Sequence, residues 1–396
     1  MRLLSSSGVK RLHSLDALRG VAALAVVFWH WQHFYAITGT YQHGWKADAQ
    51  PFYWTFRLFY DQGWAAVDLF FPLSGFVFFW LYGEAIRTKQ IGAGEFSLLR
   101  FSRLYPLHLA ALGIVAALQI LFWRRTGNWF IYTDNSWRHF AASLLMAQQW
   151  LPPNIDQSFD GPAWSVSIEV LLYVLFFFAM RAGLRSGKVS LAIAVAAVLL
   201  IPWNEFIARG IIGFFVGGAI YALNEHLRRR ADVRDLAQAI GLLAIASWIA
   251  VIAEVYAAPL HAFLYWLSGH LSPQVGRLYL GWNGWLFRLL FSFVVCPLTI
   301  LGLALDEQVL GGRYKSLSPL GDISYSTYML HFPLQLVLAL LALSAGIGAR
   351  TFEARWSMLA FFAVLIGLGT LSYRYFERPV QSLVRGLARA RLSPAE

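Results

Sequence analysis

Long apolar stretches separated by short polar segments recur from one end of the 396-residue chain to the other. An α-helix rises 1.5 Å per residue, so it needs about 20 residues to cross the hydrocarbon of a bilayer. Ten stretches approach this length and predict an all-α bundle of about ten transmembrane helices. They lie at residues 17–37, 64–82, 104–123, 164–180, 189–203, 207–223, 236–256, 285–303, 323–344 and 357–373.

The polar segments between these stretches predict the orientation of the bundle. If the N-terminus is inside, most of the 32 Lys and Arg residues fall in cytoplasmic segments, as the positive-inside rule requires. Both termini are then cytoplasmic. The N-terminal segment carries Asp16 and Arg19 and its apolar run is too long for a cleavable signal, so we expect it to remain as the first span. Residues 1–396 are predicted to form a single transmembrane domain with no appended soluble domain.

Composition agrees with a membrane protein and excludes other classes. The chain is 58% hydrophobic and 13% charged, whereas a soluble domain is about 25% charged. Its net charge of +11 is spread over short loops, which gives no support for a nucleic-acid partner. Because Cys296 is the only cysteine, an intrachain disulfide and a cysteine metal site are excluded, and no metal is expected.

The first predicted span, "LDALRGVAALAVVFWH", carries ionisable residues on one face. Arg19 and His30 are eleven residues apart, which at about 100° per residue is close to three full turns. Asp16 lies one turn before Arg19 on the same face. Ionisable groups inside a membrane usually face a cavity or the bundle interior, so Arg19 and His30 are functional candidates. The alternative for His30 is a buried histidine satisfied by a neighbouring helix.

The fourth predicted span, "GPAWSVSIEV", contains one carboxylate, Glu169. Ser165 and Tyr173 lie four residues to either side of it, on the same helix face. Glu169 and His30 are expected at comparable depth, so we predict that the carboxylate orients the imidazole, as in catalytic dyads. The alternative is an ion pair or hydrogen bond that fixes helix register.

Two further segments carry candidate chemistry. In "GDISYSTYMLHFPL" His331 is again deep, although a packing helix kinked at Pro333 explains the same pattern. In "LLRFSRLYPLH" Arg100 and Arg103 lie one turn apart where the third span begins. Two guanidinium groups at that spacing suit a phosphate, whereas ordinary cytoplasmic loop arginines are the alternative.

Small and aromatic residues leave two questions open. Gly213 and Gly217 in "GFFVGG" predict a close helix contact, either within the bundle or between protomers. Tryptophans and tyrosines are frequent in the outer segments 38–63, 124–163 and 257–284. They form either an interfacial belt or stacking surfaces for an acceptor such as a sugar ring.

Taken together, the motifs resemble those of the acyltransferase-3 family of integral membrane acyltransferases, in the family's order over nearly the whole chain. The segments that carry this resemblance are "LDALRGVAALAVVFWH", "GWAAVDLFFPLSGF", "RFSRLYPLH", "GPAWSVSIEVLLY", "GDISYSTYMLHFPL" and "YRYFERP". The resemblance implies a multi-pass protein of the bacterial cytoplasmic membrane. It also implies transfer of an acyl group, usually acetyl from acetyl-CoA, to a hydroxyl of an extracytoplasmic carbohydrate or glycolipid.

The resemblance also implies roles for particular residues. The family's Arg-x10-His element falls on Arg19 and His30, and its Arg-x-x-Arg element, implicated in coenzyme A binding, falls on Arg100 and Arg103. Its Trp-Ser-x-x-x-Glu element falls on Trp164, Ser165 and Glu169. Pro72 stands where the family commonly has Val, so we expect a kink in the second span.

These inferences combine into one hypothesis for the site. His30 acts as general base or transient acyl carrier, with Glu169 and Arg19 as the other catalytic residues. Arg100, Arg103 and Arg19 hold the acyl-CoA. The expected substrate-binding residues are Trp164, Ser165, Tyr173 and His331, with Asp16 and Asp68 in support. Two rival functions are a proton-coupled transporter of a glycan precursor or small solute, and a structural subunit of an export complex.

Overall fold

The computed structural model of the chain describes residues 11–150, 157–270, 285–312 and 314–392. Within these ranges the protein is mostly helical and contains no strand. We number ten helices that correspond one to one with the predicted spans. They are α1 (His13–Trp29), α2 (Tyr53–Leu81), α3 (Ala93–Thr126), α4 (Gly161–Arg181), α5 (Gly187–Leu200), α6 (Glu205–Leu227), α7 (Val233–Ala257), α8 (Trp285–Leu310), α9 (Ser324–Ser344) and α10 (Arg355–Leu387).

Eight of these ten helices are long and apolar enough to cross a membrane, which confirms the predicted all-α membrane bundle. The other two are shorter. Helix α5 ends at Leu200, just before Pro202. Helix α1 has 17 residues and continues directly as a 3-10 helix over His30–Ala36. The predicted first span is therefore helical along its length but changes its pitch at His30.

Helix α3 is longer than the apolar stretch that predicted it. It starts at Ala93, so Arg100 and Arg103 lie within a continuous helix of 34 residues. Arg100 is buried and Arg103 is exposed. The two predicted arginines therefore differ in burial although one helix carries both.

Helices α2 and α6 approach each other at backbone distance. A Cβ on Gly75 would lie 1.9 Å from the Phe214 carbonyl oxygen, and one on Gly217 would lie 2.2 Å from the Pro72 carbonyl oxygen. Helix α2 continues through Pro72 to Leu81. The predicted small-residue contact of Gly213 and Gly217 is thus made within the bundle, against the turn that contains Pro72.

A second close contact fixes the start of α1. A Cβ on Gly321, in the short helix Ser318–Asp322, would lie 2.2 Å from the Asp16 carbonyl oxygen. Only glycine fits at such an approach, because any side chain would overlap the backbone. This contact places Asp16 and Arg19 beside the start of α9.

The buried apolar residues form two clusters. The larger joins α2, α4, α6 and α8 and includes Phe76, Phe176, Phe214 and Ile300. The smaller surrounds the 3-10 turn after α1 and includes Trp31, Phe34, Phe332 and Phe361. The Trp31 indole also donates a hydrogen bond of 3.1 Å to the Phe352 carbonyl oxygen. The turn that carries His30 is therefore held in a packed core.

Candidate active site

Three of the predicted arginines line one cavity. It has a volume of about 130 Å³ and lies between α1, α2, α3, α4 and α9. We call it the arginine cavity. Its charged lining residues are Arg19, Arg100, Arg103 and Glu169, and its hydroxyl groups belong to Ser74, Ser165, Tyr173, Ser324, Tyr325 and Tyr328.

The arginines differ in how they are held. The Arg100 guanidinium is buried against the rings of Phe78 and Tyr82, 5.0 and 4.7 Å from their centroids, and donates a hydrogen bond to the Tyr82 hydroxyl. Its Nε has no hydrogen-bond partner within the described ranges. Arg19 donates to the Asp16 carboxylate at 3.2 Å. Asp16 therefore pairs with Arg19, and Arg100 keeps an unpartnered donor in the interior.

Glu169 lies in the arginine cavity, away from the partner that we predicted for it. Its carboxylate accepts hydrogen bonds from the Tyr173 hydroxyl and, at 3.3 Å, from the Ser74 hydroxyl. The His30 ring instead contacts His331. The predicted pairing of Glu169 with His30 is corrected accordingly. The spacing of residues along a helix predicts which face each side chain occupies. It does not predict which neighbouring helix packs against that face.

His30 lines a second cavity, of about 260 Å³. We call it the histidine cavity. Trp29, Trp64, Trp164 and Phe206 provide its aromatic walls, and Arg209 and Arg288 are its charged lining residues. Trp164, predicted as a substrate-binding residue, thus lines the same cavity as His30, whereas Ser165 and Tyr173 line the arginine cavity.

The hydrogen bonds of His331 fix the proton positions on His30. The Nδ1 of His331 lies against the Tyr328 carbonyl oxygen, which only accepts, so this nitrogen must carry a proton. In a neutral ring its Nε2 is then an acceptor. It lies 3.0 Å from Nδ1 of His30, which must therefore donate. The Nε2 of a neutral His30 is left with its lone pair, as a general base requires.

His331 occupies a different place from the one predicted for a substrate-binding residue. It is fully buried and lines neither cavity. Its ring stacks on that of His30 with centroids 4.9 Å apart. The position suits a residue that orients His30.

Gln335, which was not predicted as a site residue, holds the backbone around His30 in place. The Gln335 side-chain amide donates to the His30 carbonyl oxygen at 2.8 Å, and its oxygen lies 3.1 Å from Nδ1 of His33. Both His33 and Gln335 are buried. Although three histidines lie close together, no group of three or more His, Cys, Asp or Glu side chains in the described part of the chain is arranged to hold a metal ion.

Tyr328 lines both cavities. Its hydroxyl lies 2.7 Å from that of Ser165 and also donates to the Pro162 carbonyl oxygen. Arg19 lines one cavity and His30 the other, so the predicted Arg-x10-His spacing spans the two.

Asp68, predicted as a supporting residue, forms a buried ion pair with Arg209. The Arg209 Nε donates to the Asp68 carboxylate at 2.8 Å. The sequence analysis missed Arg209 and Arg288, although the predicted sixth and eighth spans contain them. The available signal was a charged side chain inside an apolar stretch, which is costly unless it is paired or functional.

The fold and the site define an integral membrane protein whose reactive groups lie inside its helix bundle. The chain belongs to the acyltransferase-3 family, whose acyltransferase domain matches residues 12–374. It is thus a membrane acyltransferase, as the sequence motifs implied.

Three relatives are similar to the chain over shorter or longer segments. Protein 2 in the picA locus of Rhizobium radiobacter is 30% identical over 213 residues, which cover 51% of this chain and all of that protein. Acyltransferase MdmB of Streptomyces mycarofaciens is 34% identical over 169 residues, 42% of this chain and 39% of MdmB. Exopolysaccharide production protein ExoZ of Rhizobium meliloti (strain 1021) is 25% identical over 348 residues, 83% of this chain and 92% of ExoZ. No solved structure matches the chain.

Proposed function

We propose that the protein transfers an acetyl group from cytoplasmic acetyl-CoA to a hydroxyl of an extracytoplasmic carbohydrate or glycolipid. In this proposal it is a multi-pass protein of the bacterial cytoplasmic membrane with both termini in the cytoplasm. Family membership supports acyl transfer. The similarity to ExoZ, a protein named for exopolysaccharide production, supports a carbohydrate acceptor.

The arginine cavity is the proposed donor site. Ligand pockets usually measure about 300–1,000 Å³, so a cavity of about 130 Å³ is too small for a whole coenzyme A. It suits the narrow pantetheine arm, with the phosphates outside beside the exposed Arg103. Arg19 and the free Nε of Arg100 are donors for oxygen atoms that enter the cavity. Glu169 holds the Tyr173 hydroxyl in place there and is a positioning residue.

The histidine cavity is the proposed acceptor site. Tryptophan rings that stack on a sugar leave a hydroxyl facing Nε2 of His30. Nε2 takes the hydroxyl proton as the oxygen attacks the thioester carbonyl carbon. The C–S bond then breaks, and the coenzyme A thiolate takes the proton from the imidazolium. The products are an ester and a free thiol.

One observation carries this proposal: the hydrogen-bond chain from Tyr328 through His331 to His30. It leaves the lone pair of a neutral His30 on Nε2, and the same Tyr328 lines both cavities. Replacing His30 by Ala removes the proposed base. We expect transfer to fall by about 10² to 10⁴.

The test is mass spectrometry of cell-surface glycans from a deletion strain that carries either the wild-type gene or His30→Ala. We expect acetylated glycan with the wild type and its loss with the variant, at equal protein level and equal coenzyme A binding. Full acetylation with His30→Ala would exclude the base. Solute uptake without any acetylation would favour a transporter.

A further inference from the structure

The guanidinium of Arg209 is buried within the bundle with one donor group unused. Its side chain is 8% exposed, and that of its partner Asp68 is 3% exposed. The ion pair uses Nε of the arginine, whereas Nη2 has no hydrogen-bond partner in the described ranges. A charged donor that is buried and unpaired is costly. A binding partner from outside the bundle would satisfy it.

A second guanidinium lies in the same cavity. The Arg288 guanidinium stacks on Trp64 and Trp285, at 4.3 and 5.0 Å from their ring centroids. The Arg209 guanidinium lies 5.7 Å from the ring centroid of Trp64 and 4.9 Å from that of Trp164. Trp64 therefore contacts both cations. Stacking fixes their planes while leaving N–H groups at their edges available for oxygen atoms.

The carboxylates that partner these arginines do not line the cavity. Arg209 pairs with Asp68, and Arg288 lies 3.5 Å from Glu205. Both arginines are lining residues of the histidine cavity, but neither Asp68 nor Glu205 is. In the described part of the chain the lining holds two guanidinium groups and no carboxylate. The charged groups that line the cavity are therefore both cationic, and each also has a carboxylate partner outside the lining.

We infer that the histidine cavity binds an acceptor that carries an oxyanion, either a carboxylate or a phosphate group. Nη2 of Arg209 and the guanidinium of Arg288 bind the oxyanion, and the tryptophans stack on the sugar ring beside it. The anion then fixes which hydroxyl faces His30. This inference rests on the proposed function, which puts the acceptor in the histidine cavity. What it adds is that the acceptor is negatively charged.

The test measures equilibrium binding of three monosaccharide probes to the purified full-length protein without acyl-CoA. The probes are methyl glucuronide, glucose 1-phosphate and the neutral methyl glucoside. We expect at least one anionic probe to bind about tenfold or more tightly than the glucoside, since charge-assisted hydrogen bonds are the strong ones. If the glucuronide alone binds more tightly, the acceptor is an acidic sugar. If glucose 1-phosphate alone binds more tightly, the acceptor is a sugar phosphate.

Three variants locate the binding. Arg288→Gln removes the less buried cation. The double variant Asp68→Asn with Arg209→Gln removes the other cation without leaving Asp68 charged and unpaired. Both are expected to reduce binding of the anionic probe to the level of the glucoside. The matched control is Arg57→Gln, because Arg57 also stacks on a tryptophan, Trp54, and pairs with Asp61, but lines neither cavity.

The outcomes separate this inference from the proposed function. Equal binding of all three probes, binding by none, or an equal loss in Arg57→Gln and Arg288→Gln overturns the oxyanion site. Anion binding that follows the expected pattern supports the site even if His30→Ala leaves acyl transfer intact. In that case the proposed base is wrong and the oxyanion site stands.

Discussion

At the residue scale, His30 owes its orientation to a change of helix type. It is the first residue of the 3-10 turn after α1, and its ring lies against His331 of α9. A bond between two imidazoles orients both, because each ring has one donor and one acceptor when neutral. The hydrogen bond to His331 therefore leaves the lone pair of a neutral His30 on Nε2, without a carboxylate partner.

Substitutions at His331 test this positioning role. His331→Leu removes the acceptor for Nδ1–H of His30, and we expect kcat to fall about tenfold, the equivalent of one hydrogen bond. His331→Gln offers an amide oxygen in its place and is expected to recover much of that loss. The measurement is the rate of acetyl transfer with a fixed glycan extract, together with its pH profile.

A purely structural role for His331 would give a different result. Both variants would then lose activity in proportion to their loss of folded protein, with an unchanged pH profile. We expect instead that His331→Leu shifts the pH profile of the folded fraction, because the base nitrogen loses its fixed tautomer.

Asp160 gives a test of pH dependence outside the membrane-spanning helices. Burial raises its pKa to about 8, and neither carboxylate oxygen has a hydrogen-bond partner in the described ranges. Between its ordinary pKa of about 3.9 and this value the folded state holds a proton that the unfolded state has lost. The free energy of unfolding therefore falls as pH rises from about 4 to about 8.

Asp160→Asn removes this titration, so its melting temperature should fall less between pH 5 and pH 8 than that of the wild type. Thermal denaturation of the detergent-purified protein provides the measurement. Asp134→Asn, on a half-exposed residue near His139, serves as the control and should respond like the wild type. An equal response of all three proteins would contradict the buried, protonated carboxyl.

Some of these residue contacts were predictable and others were not. Arg19 and His30 lie eleven residues apart in one apolar stretch, so their separation of about three helical turns could be predicted. The contact of His30 with His331 depends on how α1 packs against α9, which no local pattern encodes. Arg209 was visible as an unexplained charge in a span, but its partner Asp68 is 141 positions away in the chain.

At the element scale, α2 and α6 depend on glycine for their close approach. Apolar side chains gain little by leaving lipid for a helix interface, so such packing relies on close contact of small residues. The positions of Asp68 on α2 and Arg209 on α6 follow from this approach. A change at the contact should therefore affect both stability and the histidine cavity.

Gly75→Ala tests the contact. The new Cβ would lie 1.9 Å from the Phe214 carbonyl oxygen, so we expect a loss of about 1–3 kcal/mol or more in stability. Gly113→Ala on α3 is the matched control, because its Cβ meets nothing within 4 Å. It should be neutral or slightly stabilising, since alanine favours the helix. Equal melting temperatures for the two variants would contradict the close packing.

The pattern of apolar residues predicted all ten helices. A segment in lipid must form its backbone hydrogen bonds within itself, so each long apolar stretch of sequence becomes a helix. The pattern missed the start of α3 and the 3-10 turn after α1. Residues 93–103 are polar enough to be predicted as a loop. The 3-10 turn after α1 arises from packing around Trp31 and Phe34. Both differences decide where site residues point.

At the scale of the whole molecule, two cavities share Tyr328 as a lining residue. One holds three arginines and the other holds His30, the proposed base. In the proposed reaction the hydrogen bond of Tyr328 with Ser165 opens, or the Tyr328 ring turns, before a thioester in one cavity meets a hydroxyl in the other.

The sidedness of the reaction tests the proposed transfer from one cavity to the other. Purified protein is reconstituted in liposomes that enclose surface glycan, and labelled acetyl-CoA is added outside only. We expect labelled glycan in the lumen, at the wild-type level for the Arg57→Gln control and lower by about 10² to 10⁴ for His30→Ala. Label that appears only when glycan and acetyl-CoA share one side, or that is unchanged in His30→Ala, would contradict it.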